Sequence, residues 1–313
     1  MRGRTWSLVL VLLPATVWSQ AQPKRLAAVD SLKSPEALSY DAAVDAYFIS
    51  NMNNRDGHGF ITRVRGKDGV VDSLHFIRGL NAPMGSRIKG DTLWLVDLTA
   101  LKGFDVHSGA LLATIDLSSV RPVFLNDMAI GPDDDFYVTD TGYDIKNDKH
   151  TGPDRIYHIA RNRKVSVVLE TPALDQPDGI DWDPRQRRLV LAPIGGDSIQ
   201  ELRPGAKAPT DIAPGAGRYD GIEVEKDGTI LITSWNDSSV LELRGEEVGA
   251  AALQSNRPVE QRASAASTRG GAALVRRIGK LAAPVADVSM DARRHQVGIV
   301  SLVANRFELW TLP

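Results

Sequence analysis

The chain contains no cysteine. Disulfides, Cys-ligated zinc, iron–sulfur clusters and a thiol nucleophile are thereby excluded. An excess of charge of one sign is missing too. Lys and Arg number 37 against 39 Asp and Glu, a formal net charge of −2 with a pI near 6.3. Such a chain lacks the basic footprint of a nucleic-acid binder. Histidine is scarce, and the six present (58, 75, 107, 150, 158, 295) show no metal-ligand spacing. There is no phosphate-cradling glycine loop, no Gly-x-Ser-x-Gly elbow and no dinucleotide fingerprint.

Long apolar runs are absent except at the start. Residues 1–21 read as a secretory signal: Arg2 and Arg4, then an apolar stretch including Leu8 to Leu13, then Ser19-Gln20-Ala21 with cleavage after Ala21. The run is shorter than the roughly 20 residues of a membrane span, and Pro14 interrupts it. The expected product is a single domain, 22–313, exported to the periplasm or secreted, free of the membrane after cleavage and monomeric.

What the chain does have is turns and short apolar alternations. Hydrophobic residues make up 42%, with 27 Gly and 17 Pro, which suits many short strands better than long helices. One pattern recurs six times: a polar or small pair, a short alternating strand, an Asp/Gly/Pro turn, and a strand rich in Val, Ile and Leu. The copies open at Glu36, Met84, Asn126, Asp178, Asp220 and Ala286, spaced by 48, 42, 52, 42 and 66 residues. Paired strands at a period of about 40–50 residues are the signature of propeller blades. Third strands are readable at 60–64, 155–159, 198–202, 239–243 and 306–310, and fourth strands at 70–76, 111–117 and 165–170. The expected fold is all-β, a six-bladed propeller needing no helix. Its sixth blade lacks a fourth strand, and Arg25 to Val29 is the spare strand that would close the ring by pairing the two ends of the chain. The 66-residue spacing has a visible cause: 249–271 is rich in Ala, Ser, Arg and Gln without strand or helix periodicity, and reads as a loose inserted loop.

Equivalent positions in a propeller share radius and height. The six opening residues should therefore converge on one mouth of the central channel, bringing Glu36, Asn126, Asp178 and Asp220 together. Three carboxylates in a partly desolvated space repel unless a cation lies among them. An all-oxygen donor set suits a hard ion, Ca2+ first, with Zn2+, Mg2+ or Mn2+ as alternatives. The second strand of each copy returns to the same mouth, so Asn51, Asp97, Asp140, Trp235 and Asn236 could line a pocket there with Met84, Phe124 and Asp127. Strand-end turns are the competing role for these residues.

The motifs Ser34-Pro35-Glu36, Phe124-Leu125-Asn126-Asp127, Gln176-Pro177-Asp178-Gly179 and Tyr219-Asp220-Gly221 resemble the metal motifs of the gluconolactonase and regucalcin (senescence marker protein) family, which is related to paraoxonases and squid-type phosphotriesterases. The segments 285–287 and 305–310 resemble a bacterial branch of it. The resemblance implies a divalent metal, usually Ca2+, and hydrolysis of lactones or related esters. Glu36, Asp178 and Asp220 then correspond to metal ligands, Asn126 to a ligand or substrate contact, and Asp220 to the base or nucleophile. Two positions depart from that pattern. Asp178 stands where Asn is usual, raising the formal ligand charge to −3. Phe124 stands where many gluconolactonases carry Arg, which points towards a less polar substrate or towards no turnover. The expected function is metal-assisted hydrolysis of a small-molecule ester, with Asp220 activating water or attacking directly. The alternatives are a non-catalytic propeller whose metal is structural and whose face binds a protein or glycan, and a strictosidine-synthase-like scaffold with different chemistry.

Overall fold

The computed structural model describes residues 22–214, 217–244 and 276–312. The signal-like segment 1–21 and the inserted loop 249–271 lie outside the described residues. Six four-stranded antiparallel sheets form the blades of a propeller. Their innermost strands are Pro35–Asp41, Pro83–Lys89, Leu125–Ile130, Pro177–Asp183, Tyr219–Val224 and Asp287–Asp291. No α-helix occurs among the described residues; three single-turn 3-10 segments interrupt the strands.

The sixth sheet closes the ring as expected. Lys24–Val29 pairs antiparallel with Arg306–Thr311, Val29 opposite Phe307 and Lys24 opposite Thr311. Without that pairing, Arg306–Thr311 would present an open edge, a template for association. Several strands the repeat pattern does not mark complete the blades: Ala100–Asp105, Thr210–Pro214 and Arg276–Lys280. The segment between Asp140 and Pro153 carries a two-residue ladder, Tyr143–Asp144 against Lys149–His150.

Burial is greatest in the inner two strands of each blade and falls towards the outermost, and sequence follows it. Second strands such as Ala46–Asn51, Arg188–Pro193 and Gln296–Ser301 are buried along their whole length, because each lies between two neighbouring blades. Outermost strands such as Leu111–Asp116 and Val165–Glu170 are largely exposed. The core is therefore divided into apolar clusters, one at each of the six junctions. Phe48, Ile61, Leu95 and Phe104 join the first two blades, and Val29, Phe307, Tyr47 and Ile49 join the last to the first. Each fully buried side chain of this size contributes about 1.5–3 kcal/mol.

At the axis the innermost strands approach so closely that Gly85, Gly179 and Gly221 exclude a side chain. A Cβ on Gly85 would meet Asp127 Oδ1 at 2.0 Å and the Asp127 Cα at 2.6 Å, and Gly221 stands in the same relation to Asp287. Neither backbone can yield without disturbing a blade junction. Gly221→Ala is therefore expected to lower unfolding stability by about 2–4 kcal/mol in urea titration. A change below about 0.5 kcal/mol would show that the axis is not tightly packed.

Candidate metal centre

The convergence at the mouth has a local cause. In each of the first five blades, the pairing between the first two strands slips at the head of the innermost strand. The irregularities fall between Pro35 and Ala37, Pro83 and Ser86, Leu125 and Met128, Pro177 and Gly179, and Tyr219 and Ile222. Glu36, Met84, Asn126, Asp178 and Asp220 sit inside these slips. A bulge leaves a residue out of the ladder and re-aims its side chain. The blade-head residue (Pro35, Pro83, Leu125, Pro177 or Tyr219) keeps its pairing, while the next residue leaves the ladder. The sixth blade has no slip, and its Ala286 uses its N–H to bond Val300 O.

Glu36, Asn126, Asp178 and Asp220 are all buried. Among the described residues, the carboxylates of Glu36 and Asp178 accept no hydrogen bond, an arrangement that disfavours their charged forms. Burial pushes the Glu36 carboxyl up to about 7, against the opposing pull of the Arg55 guanidinium. Asp178 is driven well above the usual carboxylate range by burial and then by Glu36 and Asp127. Asp220 is driven up by burial and by Asp178 and Glu36, while a hydrogen bond from Trp235 Nε1 to its Oδ2 at 2.5 Å works the other way. Asn126 donates its Nδ2 to Thr141 Oγ1 at 3.2 Å, which turns its carbonyl oxygen away from that anchor. Thr141 in turn bonds Pro177 O, tying the third blade to the fourth beneath the site.

The donor chemistry fits a hard divalent cation: three carboxylates and an amide oxygen, two of the carboxylates without a donor. The acids do not form a ready-made tight cluster, since no group of three His, Asp or Glu among the described residues is gathered at ligand distance.

Below the mouth lies a feature that the column of opening residues does not reveal. Three residues further along the innermost strands come Ser39, Arg87, Ala129, Asp181, Glu223 and Ser289, a second ring around the axis. Arg87 crosses the channel from this ring. It pairs with Asp127 at 3.1 Å and lies 3.7 Å from Asp181, and it donates to Ile180 O, Ile222 O and Ser86 O. Burial opposes its charge, but Asp127, Asp181, Asp287 and Glu223 outweigh that and hold its pKa above the ordinary value. The signal was readable: Arg87 is the one cation in this ring of the repeat.

Other expected pocket residues are placed elsewhere. Asp127 faces down the channel, where its Oδ2 accepts Ile180 N at 3.0 Å and meets Arg87, below the mouth it was expected to line. Asn51 is fully buried between Lys33 N, Ile49 O and Thr62 Oγ1. Asp97 clamps Asn81 N, Ala82 N and Lys102, and Asp140 clamps Val123 N, Phe124 N and Tyr157 OH. These strand-end acids hold the loop entering their own blade, which is the turn role that competes with ligand contact. Met84 is buried in the apolar cluster at the second junction. Phe124 and Trp235 remain half-buried at the mouth, and Asn236 is exposed at its rim. Sequence reasoning missed Arg55, whose guanidinium lies 4.7 Å over the Phe124 ring. The lack of Arg at 124 therefore does not leave that side of the mouth without a cation.

Fold and site together define a six-bladed propeller with an acidic, oxygen-donor mouth on its axis. A profile of the SMP-30/Gluconolactonase/LRE-like region matches residues 60–274, and the chain belongs to that family. Solved structures with the same fold include a gluconolactonase from Xanthomonas campestris, 16% identical with a TM-score of 0.69, covering 96% of this chain and 94% of that one. Another is the calcium-binding protein regucalcin from Agrobacterium tumefaciens, 17% identical with a TM-score of 0.61 and 93% of each chain covered. A virginiamycin B lyase from Staphylococcus aureus shares the fold at 12% identity and a TM-score of 0.56, covering 93% of this chain and 99% of that one. No curated protein matches the sequence significantly.

The raised carboxyls predict a pH dependence. Well below pH 3.8, folded and unfolded chains both keep these groups protonated. As pH rises, the unfolded chain releases its protons first, so folding loses stability until the folded groups ionise as well. For Glu36 this window runs from 4.5 to about 7, and for Asp287 from 3.8 to about 8. Metal-free protein should therefore lose stability from pH 4.5 to 8 in urea titration, with a shallower slope in Glu36→Gln. Added Ca2+ should stabilise strongly at pH 8 and little at pH 4.5, because ligands must shed protons to bind metal. A calcium effect independent of pH would contradict the assignment of these acids.

Proposed function

We propose that this protein is a metal-dependent hydrolase of lactones or related small-molecule esters, exported and monomeric, with its substrate bound at the mouth of the central channel. The observation that carries the reading is the set of buried acids at one mouth, Glu36, Asp178 and Asp220, two of them without hydrogen-bond donors, in a chain of a lactonase-type family. Glu36, Asp178, Asp220 and the Asn126 carbonyl would hold the ion, Ca2+ in the first instance, with Zn2+, Mg2+ or Mn2+ as alternatives. When bound, the ion supplies a Lewis acid that polarises the ester carbonyl and favours the developing oxyanion, worth several kcal/mol.

The chain's own residues do the rest. Asp220 takes the proton of the attacking water and returns it to the leaving oxygen, or attacks the carbonyl itself. Burial and the neighbouring acids make it more basic than an ordinary aspartate. The Trp235 indole fixes its Oδ2 and so its orientation. Trp235 and Phe124, half-buried on two sides, provide apolar walls that keep bulk water from the reacting carbonyl.

The mature protein should hydrolyse members of a lactone and aryl-ester panel, with activity removed by EDTA and restored by Ca2+. Asp220→Asn should lower kcat by about 10^2–10^4-fold, and Glu36→Ala with Asp178→Ala should abolish stabilisation by calcium. No turnover across the panel, with calcium still raising Tm, would assign the metal a structural role in a binding propeller. A calcium-indifferent wild type would remove the metal site itself.

A further inference from the structure

Arg55 has no part in the hydrolysis described above, yet the structure goes to unusual lengths to place it. Asn53, Asn54 and Arg55 have φ of 49°, 59° and 61°, three successive residues with side chains in the left-handed region. Such residues persist only where their surroundings over-determine them. Here the turn is bound to the mouth: Met52 N bonds Ser34 O, Asn53 N bonds Lys33 O, and Ser34 Oγ bonds Asn54 Oδ1. Ser34 is two residues from Glu36, so the turn that carries Arg55 is built on the same loop that delivers the first acid.

The guanidinium so placed is stacked 4.7 Å over Phe124 and is near enough to Glu36 and Asp178 to feel their charge. It contacts none of them within the 4.0 Å of an ion pair among the described residues, and its one hydrogen bond is from Nε to Met52 Sδ at 3.2 Å, a weak acceptor. Its effect on the acids is through space, without a direct ion pair. This one holds its terminal nitrogens, a planar fork suited to a carboxylate, beside the site with no partner in the protein. A divalent ion and one guanidinium would together match the three formal charges of Glu36, Asp178 and Asp220, so an anion arriving there meets no net repulsion. The second arginine at the mouth, Arg218, lies 5.5 Å over Trp235 but is exposed, where screening weakens it.

We infer that Arg55 is a specificity residue that grips a carboxylate on the substrate, and that the mouth takes lactones or esters bearing an anionic group remote from the scissile carbonyl. The inference rests on the hydrolase reading for the word substrate and on the geometry of Arg55 alone for the word anionic. A matched pair tests it: the monophenyl ester of glutaric acid and phenyl pentanoate, which differ by a terminal carboxylate, assayed on protein saturated with Ca2+. Wild type should prefer the anionic ester. Arg55→Gln should lower the ratio of kcat/KM for the anionic over the neutral ester by about 10–100-fold, through KM, as expected for a lost charge-assisted contact. Arg55→Lys, which keeps the charge but not the fork, should fall between. An unchanged ratio in Arg55→Gln would overturn the inference while leaving the hydrolase reading standing. If wild type hydrolyses neither ester, calorimetry of glutarate binding to the same calcium-saturated protein decides instead: binding weakened by Arg55→Gln upholds the anion site without the enzyme, and absence of binding overturns it.

Discussion

Six innermost strands must share one axis, and everything particular about this molecule follows from that crowding. Side chains that leave the ladder at the strand heads enter a common space from which water is largely excluded. A charge there cannot be answered by solvent and must be answered by another blade. Glycine stands where Asp127 and Asp287 press closest. Those two acids accept N–H groups from the next blade, at Ile180 and Leu38. Thr139 and Thr233 likewise bond the carbonyls of Asp178 and Ala286 across the junctions. The polar groups that would be a liability on the axis thus become the ties between blades.

The charges are layered. Seven carboxyls (Glu36, Asp127, Asp178, Asp181, Asp220, Glu223 and Asp287) line the channel, and Arg87 is the cation buried among the lower ones. At the deeper level Arg87 pairs with Asp127 and Asp181, while burial keeps Glu223 and Asp287 well above the usual carboxylate range. The upper level, around Glu36, Asp178 and Asp220, is left short of donors and of positive charge. Two acidic levels are therefore stacked on one axis, the lower crossed by Arg87 and the upper bordered by Arg55.

The ring, its six blades and its closing strand were legible because period and strand alternation are set by the blade itself. The mouth acids were legible for the same reason: the slip at each strand head recurs in register, so Glu36, Asn126, Asp178 and Asp220 occupy the same place in their repeats. What escaped was whatever the repeat does not carry. Asn51 and Asp140 end second strands at the expected height, but their side chains turn to the backbone of the entering loops, a choice made by hydrogen-bond geometry that no spacing encodes. Arg55 escaped because its turn belongs to one blade only, and the missing arginine at 124 hid that its neighbour across the mouth could supply the same charge. Thr210–Pro214 and Arg276–Lys280 are outer strands with little apolar patterning to announce them.

The closing strand has a consequence in time. Lys24–Val29 is the first strand of the propeller to be synthesised and the last to find its partner, because Arg306–Thr311 lies almost 300 residues later. Blades one to five can each collapse as they are completed, but the first strand must remain without its neighbour until nearly the whole chain exists. The ring is thus a lock whose bolt is made first and thrown last. Any process that captures the chain by its leading end, before the trailing end is available, meets a polypeptide that is not yet committed to its final shape.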